Sequence, residues 1–264
     1  MRIVNGNNVE TGCITIGRMA PDFTSSSTQG VITLSQYRGK WVVFFSQPGD
    51  YTPVSATELI SFQQLIQEFE KRNVQLLALT IDSTFSDIDW LISIYNTTGI
   101  MISYPLMSDR NAEISRLYGM VNPDRVYEES VRDLFIINPE GRIRAILTYP
   151  VSSGRNTYEI LRLTDTLQLT HEYNLYAPAN WMPGQPVIVP PPHDLNEALQ
   201  RENDSLGLNC TDWYLCYKDY NKIVNDWRIK RGNILNSGGQ RPPLQEITDY
   251  LYRHAVRYHF CKIQ

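Results

Sequence analysis

A strand, a tight turn and a helix follow one another between residues 40 and 69, and they constrain the fold more than any other stretch. The run 40–45 is rich in Val, Phe and Trp and leads into a turn with Pro and Gly, which predicts a buried β-strand. Apolar residues then recur at spacings of three and four, which predicts a helix; they are Leu59, Phe62, Leu65, Ile66 and Phe69. The sequence therefore places the start of a helix at the end of a strand.

Ser55 lies near the start of this predicted helix. Free backbone N–H groups and the helix dipole favour an anion at such a position. The same local sequence is also typical of an ordinary strand-to-helix turn in which Ser or Thr caps the helix. Local pattern alone leaves both interpretations open.

Strands and helices alternate through the first part of the chain. The further predicted strands are 74–81, 104–109, 131–137 and 142–149, and the predicted helices are 52–72, 86–96, 112–118 and one through 160–169. This alternation predicts an α/β protein with a layered sheet. We assign residues 1–171 to this domain.

Composition narrows the class of protein. A net charge of −4 over 264 residues gives no electrostatic footprint for nucleic acid, and no apolar run has the length of a membrane span. Four cysteines are too few for a disulfide scaffold, and the first residues lack the apolar core of a signal peptide. We expect a soluble cytoplasmic protein with reduced thiols and with neither nucleic acid nor membrane as a partner.

The composition changes after residue 171. Prolines stiffen the stretches 177–184 and 190–192, and helices are predicted at 195–203, 218–231 and 244–260. Because apolar residues are few, we expect residues 172–264 to form an arm without a core of its own, which packs on the first domain or on a neighbouring chain.

The central stretch resembles the active-site signature of peroxiredoxins, Pro-x-x-x-Thr-x-x-Cys. Pro48, Thr52 and Ser55 occupy its positions, and residues 45–54 are similar to the peroxiredoxin-6-like subfamily, in particular to its archaeal thioredoxin-dependent members. The resemblance implies a thioredoxin-like core and a peroxidase that reduces hydrogen peroxide and organic hydroperoxides, with no cofactor and no metal. The family's reactive cysteine is replaced here by Ser55.

The chemistry explains which neighbours such a cysteine needs. A thiolate attacks peroxide, and lowering its pKa by about two units takes roughly 2.7 kcal/mol. A helix N-terminus usually supplies about 0.3–1 kcal/mol, so a close cation must add the rest. The resemblance assigns that role to Arg132.

The resemblance also gives roles to four other residues. Thr52 would bind and orient the peroxide, Pro48 would shield the thiolate, and Glu58 would hold Arg155 and so fix the arginine pair. Each residue alone has an ordinary explanation, such as an exposed charge for Arg132 or a helix cap for Thr52. Their joint occurrence in the family's order favours the functional interpretation.

A serine at position 55 cannot ionise here or become a sulfenic acid, so we expect this chain to be inactive. Either the serine was introduced, or the chain is a natural non-catalytic homologue that acts as an oligomeric scaffold or chaperone. Retention of Pro48, Thr52 and Arg132 favours the first explanation. Gln47 stands where relatives often have His, and its amide can still donate a hydrogen bond.

Two cysteines of the arm form the pattern Cys-x-Asp-Trp-x-x-Cys at 210–216. They make a poor zinc site, and two buried thiols are the simple alternative. The pattern looks like that of archaeal relatives, which implies that Cys210 resolves the sulfenic acid of a neighbouring subunit, that Cys216 exchanges with it, and that a thioredoxin-like protein is the reductant. Without its partner at position 55, Cys210 should stay free or pair with Cys216. We interpret Cys13 and Cys261 as structural.

The resemblance finally implies an assembly. Relatives form homodimers through their long C-terminal arms, and commonly a ring of five dimers. We therefore expect at least a dimer.

Overall fold

The computed structural model describes residues 14–121, 131–203 and 206–220. The chain divides into two compact units, residues 1–157 and 158–264. Among the described residues, no helix has the length and the apolar character needed to cross a membrane.

The first unit is built on a seven-stranded mixed sheet. Its strands are β1 Thr24–Ser27, β2 Gly30–Thr33, β3 Trp41–Ser46, β4 Val74–Thr80, β5 Leu106–Ser108, β6 Arg132–Ile137 and β7 Ile143–Tyr149. Their order across the sheet is β2-β1-β5-β4-β3-β6-β7. Strand β3 runs parallel to β4 and antiparallel to β6, so it lies inside the sheet. The predicted α/β class is confirmed.

All six residues of β3 are buried, because side chains that alternate along the strand meet apolar partners on both faces. On one face the Phe44 ring lies 5.1 Å from that of Phe23 and 5.0 Å from that of Tyr118. On the other face Phe45 stacks on Phe62 at 4.4 Å. The strand that carries the central turn is therefore held from both sides.

The helices of this unit follow the predicted pattern with one exception. They are α1 Pro53–Gln64, α2 Ile66–Lys71, α3 Thr84–Thr98 and α4 Glu113–Leu117, with a short 3-10 helix at Leu34–Tyr37. The single helix predicted at 52–72 is broken at Leu65, whose N–H bonds to Phe62 O in a tighter turn. Phe62 and Phe69 still pack together on the two sides of the break, with ring centroids 6.0 Å apart.

The second unit contains two helices, α5 Thr157–Tyr173 from its second residue onward and α6 Leu195–Glu202. It also contains a three-stranded sheet of β8 Val187–Val189, β9 Asn209–Asp212 and β10 Leu215–Lys218, in the order β8-β10-β9. A small apolar cluster forms within it; its buried members are Leu169, Leu175, Trp181 and Val187. Leu169 lies in the domain that the sequence analysis assigned to residues 1–171, so these arm residues pack on its last helix, which is one of the two expected outcomes.

Trp181 is the largest side chain of this cluster. Its indole N–H donates to Gln185 O at 3.0 Å, so the proline-rich stretch closes into a turn around a buried ring. The predicted linker then continues into β8, whose residues pair with β10. Several predictions concern residues outside those described. They are the helix at 244–260, nearly all of the helix at 218–231, the break at 236–243, and the residues Cys13, Cys261 and Trp227.

Candidate active site

The end of β3 and the start of α1 bring the predicted site residues together. Thr52 occupies the position that precedes the helix, with extended backbone (φ −81°, ψ 129°), and Pro53 is the first helical residue. Proline suits that position because its φ is already helical and its missing N–H would have no partner there. Ser55 is thus the third residue of α1, and its side chain is fully buried.

Two donors reach the hydroxyl oxygen of Ser55. Nη1 of Arg132 donates to it at 3.0 Å, and the hydroxyl of Thr52 lies 2.6 Å away. The Thr52 hydroxyl is also 2.7 Å from Gly49 O, and because it has one hydrogen it donates to one of the two at a time. Thr52 makes no side-chain cap bond to the helix. Its hydroxyl serves Ser55 and the turn, so the capping interpretation does not describe it.

Arg132, the first residue of β6, is buried, with only 1% of its surface exposed. The same Nη1 that reaches Ser55 also lies 3.0 Å from Oε1 of Gln47 and 3.0 Å from Oε2 of Glu58. Its Nε donates to Val151 O at 2.9 Å, which fixes the plane of the guanidinium. The alternative of an exposed, solvated charge is wrong for this residue.

Glu58 joins the two arginines. Its Oε1 accepts from the backbone N and from Nε of Arg155 at 2.6 and 2.9 Å, and its Oε2 accepts from Nη2 of Arg155 at 2.6 Å as well as from Arg132. Burial alone would raise the pKa of Glu58, but the hydrogen bonds and charge of Arg155, together with the charge of Arg132, lower it below its ordinary value. Burial and the charge of Arg155 lower the pKa of Arg132, while the charge of Glu58 and its hydrogen bond raise it. Arg132 stays cationic, because arginine does not lose its proton in proteins.

Arg155 is anchored to the sheet. Its Nη1 donates to Asp133 O at 2.9 Å, its Nη2 donates to Ser46 O at 3.0 Å, and its guanidinium carbon lies 5.0 Å from the centre of the Phe45 ring. These contacts tie Glu58 to β3 and β6. They make Arg155 a support for the pocket around Ser55.

The remaining predicted residues are placed as follows. Pro48 is buried in the turn between β3 and α1. Cys210 and Cys216 lie in the second unit, where they face each other across the β9–β10 hairpin and form a disulfide. Of the two states expected for Cys210 in this chain, the structure has the pairing with Cys216. In the described part of the chain, no group of three or more His, Cys, Asp or Glu side chains is arranged to hold a metal.

Sequence reasoning missed two contacts of the pocket. The sequence indicates only that the Gln47 amide can donate, whereas in the structure its Oε1 accepts from Arg132. The carbonyl of Val151 also holds Arg132, and a backbone carbonyl leaves no signal in residue type. The signal for Gln47 was its place at the end of a buried strand, where a polar side chain must find a partner.

Comparisons with known proteins agree with this geometry. Residues 16–146 match the AhpC/TSA family, and residues 166–205 match the C-terminal domain of 1-Cys peroxiredoxin. Peroxiredoxin 2 of Caldanaerobacter subterraneus subsp. tengcongensis is 50% identical over 212 residues, covering 80% of this chain and 96% of that protein. The peroxiredoxin of Methanosarcina mazei is 41% identical over 211 residues, covering 77% and 96%.

Solved structures show the same likeness. The yeast mitochondrial 1-Cys peroxiredoxin has a TM-score of 0.70 and 34% identity, covering 78% of this chain and 99% of its own. A cysteine-to-serine mutant of peroxiredoxin 6 from Arenicola marina has the same TM-score and identity, covering 78% and 98%. The fold is therefore thioredoxin-like, and its class is that of peroxidases that work through a thiol. This chain belongs to the peroxiredoxin family.

Glu58→Gln should destabilise the protein by about 3–5 kcal/mol at neutral pH, because it leaves two buried guanidinium groups without their counter-charge. The pKa of folded Glu58 is lowered, so its contribution is present above the unfolded value of about 4.3 and is lost as the pH falls through the folded value. The difference in free energy of unfolding between the parent protein and Glu58→Gln, measured with urea, should therefore become smaller at acid pH.

Glu70→Gln is the matched control, since it makes the same chemical change at an exposed position of α2. It should alter the unfolding free energy by no more than about 0.5 kcal/mol. Equal effects of the two substitutions would show that the buried ion group does not stabilise the fold.

Proposed function

We propose that this chain has the catalytic architecture of a thiol-dependent peroxidase in which Ser55 replaces the reacting cysteine, and that hydrogen peroxide and organic hydroperoxides are the substrates of the cysteine form. The observation that carries the proposal is the arrangement of two donors, Arg132 and Thr52, around one buried oxygen at a helix start. Such donors stabilise a thiolate in place of the serine hydroxyl.

The reaction follows from these contacts. A thiolate sulfur at position 55 would bond to one peroxide oxygen, the O–O bond would break, and the departing oxygen would take a proton to leave as water or alcohol. The sulfur is oxidised to sulfenic acid and the peroxide is reduced. Arg132 stabilises the charge that moves onto the departing oxygen, Thr52 orients the peroxide, and buried Pro48 keeps water from the sulfur.

Arg132 suits this role because its guanidinium is held at two points. Nε is bound to Val151 O while Nη1 faces position 55, so the fork has one orientation. A lysine has a single nitrogen on a flexible stem and cannot keep both contacts in that geometry.

A non-catalytic role is the second candidate function. Ser55 itself favours it, because a hydroxyl cannot follow the sulfenic acid route. In that case the chain would serve as an oligomeric scaffold or chaperone-like homologue, and the retained donors would be structural. The two candidate functions predict different results for Ser55→Cys: the first predicts peroxide reduction, and the second predicts none.

Resolution by the arm completes the proposed cycle. The thiol of Cys210 from a neighbouring subunit would attack the sulfenic acid, forming a disulfide and releasing water, and Cys216 would then displace the sulfur at position 55. The Cys210–Cys216 disulfide of the structure is the product that this exchange would leave. A thioredoxin-like dithiol would reduce it by attack on Cys210, which is half-buried, because Cys216 is fully buried.

The outer face of α3 supports assembly beyond a single chain. Four large apolar side chains lie exposed at helical spacing; they are Phe85, Ile88, Ile92 and Tyr95. The inner face of the same helix is already buried through Trp90, Leu91 and Ile94. A helix that is apolar on both faces favours burial against a second copy. We assign this face of α3 to the contact between dimers in a ring of five dimers. We assign residues 172–264 to the contact within each dimer.

A cytoplasmic location stays a prediction.

Ser55→Cys should produce peroxide reduction with a thiol donor, because every other predicted member of the site is present. The measurement is peroxide consumption by the two proteins side by side. Adding Arg132→Lys should raise the thiolate pKa and slow the reaction by about a hundredfold, as the loss of a preorganised donor does. A cysteine form with no gain over the Ser55 chain would favour the scaffold role.

In the Ser55→Cys protein, peroxide should yield a covalent dimer on a non-reducing gel, formed between position 55 and Cys210 of another chain. Cys210→Ser should abolish this dimer while leaving the first turnover intact. Cys216→Ser should retain it, because the exchange step is blocked. A dimer that survives Cys210→Ser would assign resolution to Cys216 instead.

The Ser55 chain should be at least a dimer at micromolar concentration by light scattering, and Ile92→Lys should reduce its assembly size to no more than a dimer. The reason is that lysine places a charge in the middle of the apolar face of α3. Thr97→Lys, at an exposed position on another side of the same helix, is the control and should leave the size unchanged. A folded monomer in the parent protein would contradict the proposed assembly.

A further inference from the structure

Three aspartates lie behind the active-site turn, where it passes the end of β4 and the start of α3. The backbone N–H of Asp50 donates to Oδ2 of Asp82 at 2.7 Å. Asp87, on the first turns of α3, is fully buried, and its Oδ1 accepts from the Thr80 hydroxyl at 2.7 Å. None of these carboxyl groups takes part in the pocket around Ser55.

Hydrogen-bond donors for this group are too few. In the described part of the chain, neither carboxyl oxygen of Asp50 nor Oδ2 of Asp87 accepts a hydrogen bond of ordinary geometry, although the Ser86 hydroxyl lies close enough to Asp50 to lower its pKa. Buried polar atoms in folded proteins are almost always paired. A carboxyl group that keeps its proton becomes a donor, so one proton on Asp87 would pair it with the carboxylate of Asp50.

We propose that Asp87 is a positioning residue of the peroxidase site, because a single proton shared between the Asp87 and Asp50 carboxyl groups holds the turn Gly49–Thr52 against α3. The inference rests on the proposed function for its catalytic consequence. The shared proton itself is a property of the chain as it stands, with Ser55 in place.

The surroundings favour retention of the proton. Burial raises the pKa of Asp87 to about 8; the Thr80 hydroxyl lowers it, and the proximity of Asp50 and the charge of Asp82 raise it. Burial raises the pKa of Asp50 to about 6, with Ser86 and Asp87 lowering it and Asp82 raising it.

Among the residues that the structure describes, the other titratable groups at this place do not offer a counter-charge. Asp82 lies two residues beyond the end of β4, and the turn itself contributes Tyr51, whose hydroxyl bonds to Asp89 of α3. That contact and the acidic neighbours raise the pKa of Tyr51 to about 12, so the phenol stays neutral. With acidic groups on all three elements, the pair is stabilised by its proton.

Loss of the proton would act on the pocket through the turn. Gly49 supplies the carbonyl that the Thr52 hydroxyl contacts, and Tyr51 between them has left-handed backbone (φ 54°), which must be held by its surroundings. Two carboxylates in place of a proton-bridged pair repel each other and release this segment. Folded Asp87 keeps its proton up to about pH 8 and unfolded Asp up to about 3.9, so stability falls as the pH rises through that window.

The test is Asp87→Asn in the full chain, because the amide can donate to Asp50 and accept from Thr80 at every pH. Infrared spectra of the parent at pH 6 should show the C=O stretch of a protonated carboxyl, which disappears as the pH rises to 9. The variant should lack that band, and its melting temperature should fall less than that of the parent between pH 6 and 9.

Asp89→Asn removes one charge from the same helix and is the control. It should keep both the band and the pH dependence of melting seen in the parent. A parent without a protonated carboxyl at pH 6, or an Asp87→Asn variant that retains the band, would overturn the proposal. The parent spectrum tests the shared proton even if the variant does not fold.

Activity provides the second measurement. In the Ser55→Cys protein, peroxide reduction should fall about tenfold between pH 7 and 9 as the shared proton is lost, and Asp87→Asn should remove most of that fall. If the spectra agree with the shared proton but the cysteine form has no activity, the proposed function fails and the carboxyl pair stands. If the cysteine form is active with the same pH profile in both backgrounds, the positioning role is wrong.

Discussion

The site depends on one carboxylate buried between two guanidinium groups. Glu58 is held by Arg155 and Arg132, and all three side chains are almost fully buried. Charges removed from water in this way are stable only if their hydrogen bonds are satisfied, and Glu58 accepts four. Two cations and one anion leave a net positive charge beside position 55. A thiolate there would neutralise it, whereas a serine hydroxyl does not.

The sheet brings these groups together from distant parts of the chain. Ser55 and Glu58 are one turn apart on α1 and share a face, while Arg132 begins β6 and Arg155 follows β7. Because β6 pairs with β3, the start of Arg132's strand comes to the end of the strand that precedes the active-site turn. Arg155 then bonds to carbonyls of both strands, so the ion group also joins the two strands at the pocket.

Much of this could be predicted from residue patterns, because periodicity reports local structure. The strand before the turn, α1 and the hairpin of β6 and β7 follow from apolar spacing, and the resemblance to a family supplied Thr52, Arg132 and Glu58. Contacts that depend on backbone atoms or on burial without a pattern could not be found. Val151 acts through its carbonyl, and β9 and β10 are too short and too polar to show alternation. The proposed pairing of Asp50 with Asp87 needed the fold, since acidic residues so far apart in the chain carry no signal of contact.

The hydroxyl of Thr52 has two acceptors and one hydrogen. Gly49 O lies 2.7 Å from it and Ser55 Oγ 2.6 Å, so rotation about a single bond decides which of them is served. With a neutral residue at position 55 the two acceptors compete on similar terms, whereas a thiolate would attract the hydrogen strongly. The Thr52 hydroxyl therefore has two orientations available, and the charge at position 55 decides which one it adopts. When a sulfur at position 55 became charged, the Gly49 carbonyl would lose its hydrogen bond, and when the charge was lost, the carbonyl would regain it. The hydrogen bonding of the turn would therefore change with each step of the reaction.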